Sequence, residues 1–145
     1  MSWEEGEPMR EEARLIRRMR FRSSHHYRRD EWTDEQNRRA FGSQVRSHAH
    51  DWTLVVEVVG PIDDQTGFVT DLAALDRALA QLTEGWDSGD LNRLVPDVRA
   101  GSMIPTTESL ARWVHERLRG AVPAPARLDR VRVFESQELG SQFPA

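Results

Sequence analysis

Two histidines, His48 and His50, stand one residue apart in the stretch SHAHDWTLVVEV, Ser47 to Val58. In an extended chain side chains alternate, so both imidazoles leave the same face of one strand. The alternation runs on through Trp52, Leu54, Val56 and Val58, which sets the pair at the rim of an apolar face. A His-x-His pair in that position offers two nitrogens to zinc, and the plain alternative is a pair of surface or satisfied histidines. A third ligand is needed, and His25, which ends an earlier alternating stretch on the Phe21 face, is the candidate. Three imidazoles with an open fourth position are the catalytic pattern for zinc: the ion polarises a carbonyl or hydroxyl, or activates water. His26 points to the opposite face from His25 and is the second choice. His115 falls in a helical stretch beside Glu116 and reads as an exposed helical residue.

Carboxylates supply the rest of the chemistry. Glu135 closes an apolar alternation at a strand end, where a carboxylate needs hydrogen-bond donors or a cation. It could take a pair of N–H donors from an amino-substituted heterocycle, or stand in solvent as a strand-end Glu. Asp87, in the irregular loop WDSGDLN, could orient a group or accept a proton, although Asp also favours turns for its own sake.

The elements that must position these residues follow from pattern. Residues 1–14 are rich in Glu, carry Gly6 and Pro8 and show no apolar period, so they read as a flexible extension before one domain over 15–145. The first strand runs from Leu15 to His26, with Met19, Phe21, Ser23 and His25 on one face and Arg20, Arg22 and Ser24 on the other. Tyr27 to Arg46 is a long charged connection with weak helical character from Asp34 to Ala40, and a loop of this length points to a role at a pocket. The second strand spans Asp51 to Val59 and stops at Gly60-Pro61, before a turn around Gly67. A first helix starts at Thr70 or Asp71 with an apolar stripe of Leu72, Leu75, Leu79 and Leu82, and ends before Gly85. Trp86 to Ser102 reads as irregular. Pro105, Thr106, Thr107 and Glu108 open a second helix, buried through Leu110, Ala111, Val114 and Leu118 and stopped by Gly120 and Pro123. A third strand follows from Leu128 to Glu135, and the tail adds at most a short edge strand. The expected fold is α+β, an antiparallel four-stranded sheet with two helices on one face. The sheet's other face would then lack a cover, and an apolar face left in water is an association site.

Composition narrows the function. The chain has no Cys, which removes disulfides, thiolate ligands and thiol nucleophiles. A net charge of −4 gives no reason to expect nucleic acid. No run of about 18 apolar residues is present and the N-terminus lacks a signal-peptide core, so no membrane partner is expected and the cytoplasm is the expected location.

The chain resembles the 6-pyruvoyl-tetrahydropterin synthase / 6-carboxy-tetrahydropterin synthase (QueD-like) family. The matching segments are FRSSH (Phe21 to His25), SHAH (Ser47 to His50), TGFVTDLAAL (Thr66 to Leu75), WDSGDLN (Trp86 to Asn92), PTTESLARWV (Pro105 to Val114) and VRVFES (Val131 to Ser136). The resemblance implies the tunnelling fold, in which subunit sheets join into a barrel and two trimers stack into a hexamer with sites at the interfaces. It also implies that His25, His48 and His50 hold Zn2+, that Glu135 anchors a pterin ring, and that Thr106, Thr107 and Glu108 line the pocket.

The departures from that family are as informative. Gln44 stands four residues before His48, where family members acting on dihydroneopterin triphosphate commonly carry the catalytic Cys, and Ser88 follows Asp87 where they carry His. Gln cannot act as a base, and Ser88 has no basic neighbour in the sequence. Ala49 replaces the Gly between the two metal histidines. Three functions fit: a zinc-dependent lyase or cyclase acting on a pterin-like or other secondary-metabolic small molecule, with its base drawn from Asp87, Glu35 or Asp51; a genuine 6-carboxy- or 6-pyruvoyl-tetrahydropterin synthase with a relocated base; or a non-catalytic binding homologue.

Overall fold

The computed structural model of the protein describes residues 11–145, so positions 1–10 of the expected extension lie outside the described residues. Two 14-residue strands, β1 (Glu12–His25) and β2 (His48–Pro61), pair antiparallel from Glu12 against Pro61 to His25 against His48. The connection between them carries α1 (Asp34–Phe41). Its N-cap Thr33 accepts from the Gln36 backbone while the Gln36 side chain accepts from the Thr33 backbone, a reciprocal cap that satisfies two free N–H groups. Buried Asn37 accepts from the Arg29 N–H and donates to the Arg29 carbonyl, which ties the start of this connection to the helix.

After β2 come α2 (Leu72–Leu82), β3 (Gly89–Asp90), the single turns α3 (Leu91–Leu94) and α4 (Pro96–Arg99), α5 (Thr107–Leu118), β4 (Arg127–Phe134) and β5 (Gly140–Phe143). The sheet order is β3-β1-β2-β4-β5, with β3 parallel to β1 and every other pair antiparallel. The sheet is therefore five-stranded and mixed, not the expected four-stranded antiparallel sheet, and five helical segments replace the expected two. The reason lies in Trp86 to Ser102. The Ser88 N–H donates to the Arg22 carbonyl at 2.6 Å and Asp87 Oδ1 accepts from the Arg22 N–H at 2.9 Å, which draws a two-residue strand alongside β1. Two residues carry no readable alternation. α3 and α4, four residues each, are barely one turn and show no repeat; they are started by the Asp90 cap and by Pro96 in the first turn.

α2 and α5 cover one face of the sheet. Leu75, Leu79, Leu110, Ala111, Val114 and Leu118 pack with Leu54, Val56, Val58, Val131 and Val133 into one core. Each fully buried Val or Leu contributes about 1.5–3 kcal/mol, so this face holds the sheet to the helices. The opposite face is not the apolar one expected. It carries Arg14, Arg18, Arg20, Arg22, Arg130 and Arg132, and at its centre the buried Glu57 meets Arg14 at 3.3 Å and Arg132 at 3.1 Å. Val55 and Val59 on this face are buried, each flanked across the ladder by arginines, Arg18 and Arg132 beside Val55 and Arg14 and Arg127 beside Val59.

Candidate metal centre

The histidines meet where β1 and β2 end. His25 is directly opposite His48 in the ladder and His50 is opposite Ser23, so all three share the helix-side face. A ligand atom from each lies within 4.8 Å of the others. Trp52 forms the floor. It stacks on Phe21 at 5.9 Å between centroids and donates its indole N–H to the Ser23 carbonyl at 3.0 Å.

Hydrogen bonds orient the rings. His25 Nδ1 lies 2.9 Å from the Pro105 carbonyl and His48 Nδ1 lies 2.7 Å from the Arg46 carbonyl. A carbonyl can only accept, so both Nδ1 atoms carry the proton and both Nε2 atoms present lone pairs. The Nε2 atoms of His25, His48 and His50 are all buried and have no hydrogen-bond partner. Burial lowers the pKa of His25 to about 4, against the pull of its Pro105 bond, and burial lowers that of His50 as well. His25 is therefore neutral near pH 7.

Glu135, also buried, directs Oε2 at this cluster, 3.4 Å from His25 Nε2 and 3.5 Å from His50 Nε2. That oxygen too has no hydrogen-bond partner. Glu135 Oε2 faces the lone pair of the neutral His25 Nε2, which is repulsive unless a cation stands between them. The donor set fits a metal ion: three nitrogens, two of them backed by carbonyls, with one position left open.

The remaining site residues divide. Thr106 caps α5 by accepting from the Ser109 N–H at 3.1 Å. Buried Thr107 donates to Glu108 Oε1 at 2.8 Å and touches Ser141 Oγ at 2.6 Å, while Ser141 lies 3.0 Å from the same Glu108 oxygen. The Thr107 bond is the main cause that lowers the Glu108 pKa. The three candidate bases are not brought into the histidine cluster. Asp87 is spent on the Arg22 N–H beside β3. Asp51 is on the opposite face of β2, exposed and 3.0 Å from Arg22. Glu35 is on the exposed side of α1, paired with Arg39 at 2.8 Å.

Sequence reasoning passed over Tyr27, whose ring packs edge-on against His25 at 5.0 Å. Burial, reinforced by Glu135 and Glu108, raises its pKa to about 12, so it stays a neutral phenol. Its place two residues beyond His25 was the available signal, since period two puts both on one face. Ser141 carries no such signal. Gln44 is nearby in the fold: its carbonyl accepts from the Tyr27 N–H at 2.9 Å, and its buried Oε1 has no partner.

Comparison with known proteins adds the relatives. The profile of the family described as 6-pyruvoyl tetrahydropterin synthase matches residues 14–144. The chain is 31% identical over 135 residues to the human 6-pyruvoyl tetrahydrobiopterin synthase, covering 91% of each protein. It is 29% identical over 131 residues to the dihydroneopterin monophosphate aldolase of Pyrococcus furiosus, covering 90% of this chain and 96% of that one. The solved structure of the Caenorhabditis elegans 6-pyruvoyl tetrahydropterin synthase superimposes with a TM-score of 0.82 at 22% identity, over 92% of this chain and 96% of the other, which shows a shared fold.

Proposed function

The chain belongs to the 6-pyruvoyl tetrahydropterin synthase family, and from that premise we propose that it is a zinc-dependent lyase or cyclase acting on a pterin-like small molecule. One observation carries the reading: His25 and His50 Nε2 face Glu135 Oε2 at 3.4 and 3.5 Å, beside a third partnerless Nε2 on His48. Both relatives are named for pterin chemistry, which supports the substrate class.

Zinc held by the three Nε2 atoms would supply a Lewis acid that polarises a carbonyl or lowers the pKa of a substrate hydroxyl. The chain's own residues do the rest. The Pro105 and Arg46 carbonyls hold two imidazoles in the tautomer a ligand needs. Glu135 takes the paired N–H donors of an amino-substituted ring, as a carboxylate takes any parallel pair. Thr106, Thr107 and Glu108 border that ring's place, with Glu108 fixed as an anion by two hydroxyls. Tyr27, a neutral phenol beside His25, donates a hydrogen bond to a developing oxyanion. Asp87 is the base that the family pattern retains. At the β3 edge of one chain, it would serve the histidines of a neighbour, which calls for the hexamer, a dimer of trimers joined edge to edge.

The absence of Cys from the whole chain marks the active site as divergent. Incubation of the zinc-loaded protein with the triphosphate and monophosphate of dihydroneopterin, with products read by mass spectrometry, tests the reading. Turnover of a reduced pterin is expected, with the triphosphate slow and Glu135→Gln raising KM. Failure to consume either compound would overturn it.

A further inference from the structure

The face of the sheet away from the histidines holds a second place where charge is uncompensated. Along β1 this face carries Arg14, Arg18, Arg20 and Arg22, and β2 and β4 answer Arg14 and Arg22 with a carboxylate. Arg14 meets Glu57 and Asp129, Arg22 meets Asp51 at 3.0 Å, Arg127 meets Glu12 at 3.1 Å, and Arg130 and Arg132 meet Asp129 and Glu57, both at 3.1 Å. Arg18 and Arg20 differ. Their partners across the ladder are Val55 and Thr53, and among the described residues neither guanidinium has an ion pair or a hydrogen bond to a side chain. Two like charges at i and i+2 on one strand face repel each other, so the pair is a standing cost unless an anion joins it.

Both arginines line a cavity of about 680 Å³, a size that suits a small-molecule ligand. Its wall includes Thr53 and Ser136, each with a hydroxyl, the amide of Gln137 and the ring of Phe134. Its two carboxylates, Asp51 and Asp87, are already held by the side chain and the backbone N–H of Arg22. We propose that this cavity is an anion site in which the forks of Arg18 and Arg20 take the oxyanion of a phosphate group, free or as the ester of a small molecule, on the sheet face opposite the histidines. Arg presents planar paired donors that match phosphate bidentately. Two forks with two hydroxyls offer more donors than the two oxygens of a carboxylate can accept, which favours phosphate as the class.

Calorimetric titration of the full chain at fixed ionic strength, with inorganic phosphate and separately with glycerol phosphate, tests this. Saturable binding of either, near one per chain, is expected, and the tighter of the two identifies the source. Arg18→Gln/Arg20→Gln should weaken binding at least about tenfold, since each lost charge-assisted contact is worth that or more. Should that variant fail to fold, Arg18→Lys/Arg20→Lys keeps the charge, removes the forks and should still weaken binding several-fold. His48→Ala/His50→Ala should leave binding within twofold, as should Arg119→Gln, which removes an exposed charge elsewhere. No saturable binding at millimolar phosphate, an equal loss in Arg119→Gln, or abolition in the histidine variant would each overturn the proposal.

Discussion

Replacing His25 with Asn makes the cost of burying this imidazole measurable. His25 is 0% exposed, and burial lowers its pKa from 6.5 to about 4, with the nearby His48 and His50 adding to the effect and the Pro105 bond opposing it. In the unfolded chain the same group titrates near 6.5. Because the folded pKa is the lower one, the unfolded chain binds the extra proton between these values. Stability is unaffected by this group above about pH 6.5 and falls as the pH drops towards 4. Integrating the linkage gives a loss of about 2–3 kcal/mol, most of it by about pH 4.5. Urea unfolding of chelator-treated protein at one chain concentration, at about pH 7 and about pH 4.5, reads the difference. Trp52, whose ring centroid is 4.7 Å from that of His25, gives the fluorescence signal. Wild type should lose about 2–3 kcal/mol more than His25→Asn between the two conditions. An equal loss in both proteins would refute the claim that burial holds His25 neutral.

Further outcomes follow from the same geometry. On dihydroneopterin triphosphate the wild type should run far below an ordinary rate of about 1 s⁻¹, and Gln44→Cys/Ser88→His should raise kcat, since a positioned proton-transfer group is worth about 10²–10⁴-fold. Light scattering at micromolar concentration should give about 100 kDa, six chains of 16.7 kDa, and a monomer would remove Asp87 as a base supplied by a neighbour. Leu54→Ala, at a position 1% exposed in the core, should cost about 2–5 kcal/mol in urea unfolding with little change in slope. Gly89→Ala would set a Cβ 2.3 Å from the Gly85 carbonyl oxygen, so it should lower Tm and speed hydrogen exchange at the Ser88 amide that pairs with Arg22.

What could be read in advance was what repeats. The period-two spacing of His48, His50 and Trp52 sets their common face, and a long antiparallel pairing of β1 with β2 brings His25 opposite His48. The leucine stripe of α2 and the Thr106 cap of α5 are likewise periodic or local signals. What stayed hidden depends on contacts far apart in sequence. β3 exists because Asp87 and Ser88 bond the Arg22 backbone 65 residues away in one case, a pairing with no local trace. The sheet's second face was expected to lack a cover, yet it carries arginines of β1 and β4 around the buried Glu57. Candidate bases chosen by charge alone fared worst: Glu35 and Asp51 each found an arginine on an exposed surface. Tyr27 was legible by parity with His25 but carries no motif that singles it out.

The central claim is that His25, His48 and His50 hold one zinc ion per chain. Elemental analysis of purified protein, before and after incubation with zinc and desalting, tests it most directly, alongside His48→Ala/His50→Ala. One zinc per chain in the wild type and none retained in the variant is the predicted result. A wild type that carries no stoichiometric metal and takes none up, or a variant that holds as much as the wild type, would contradict it.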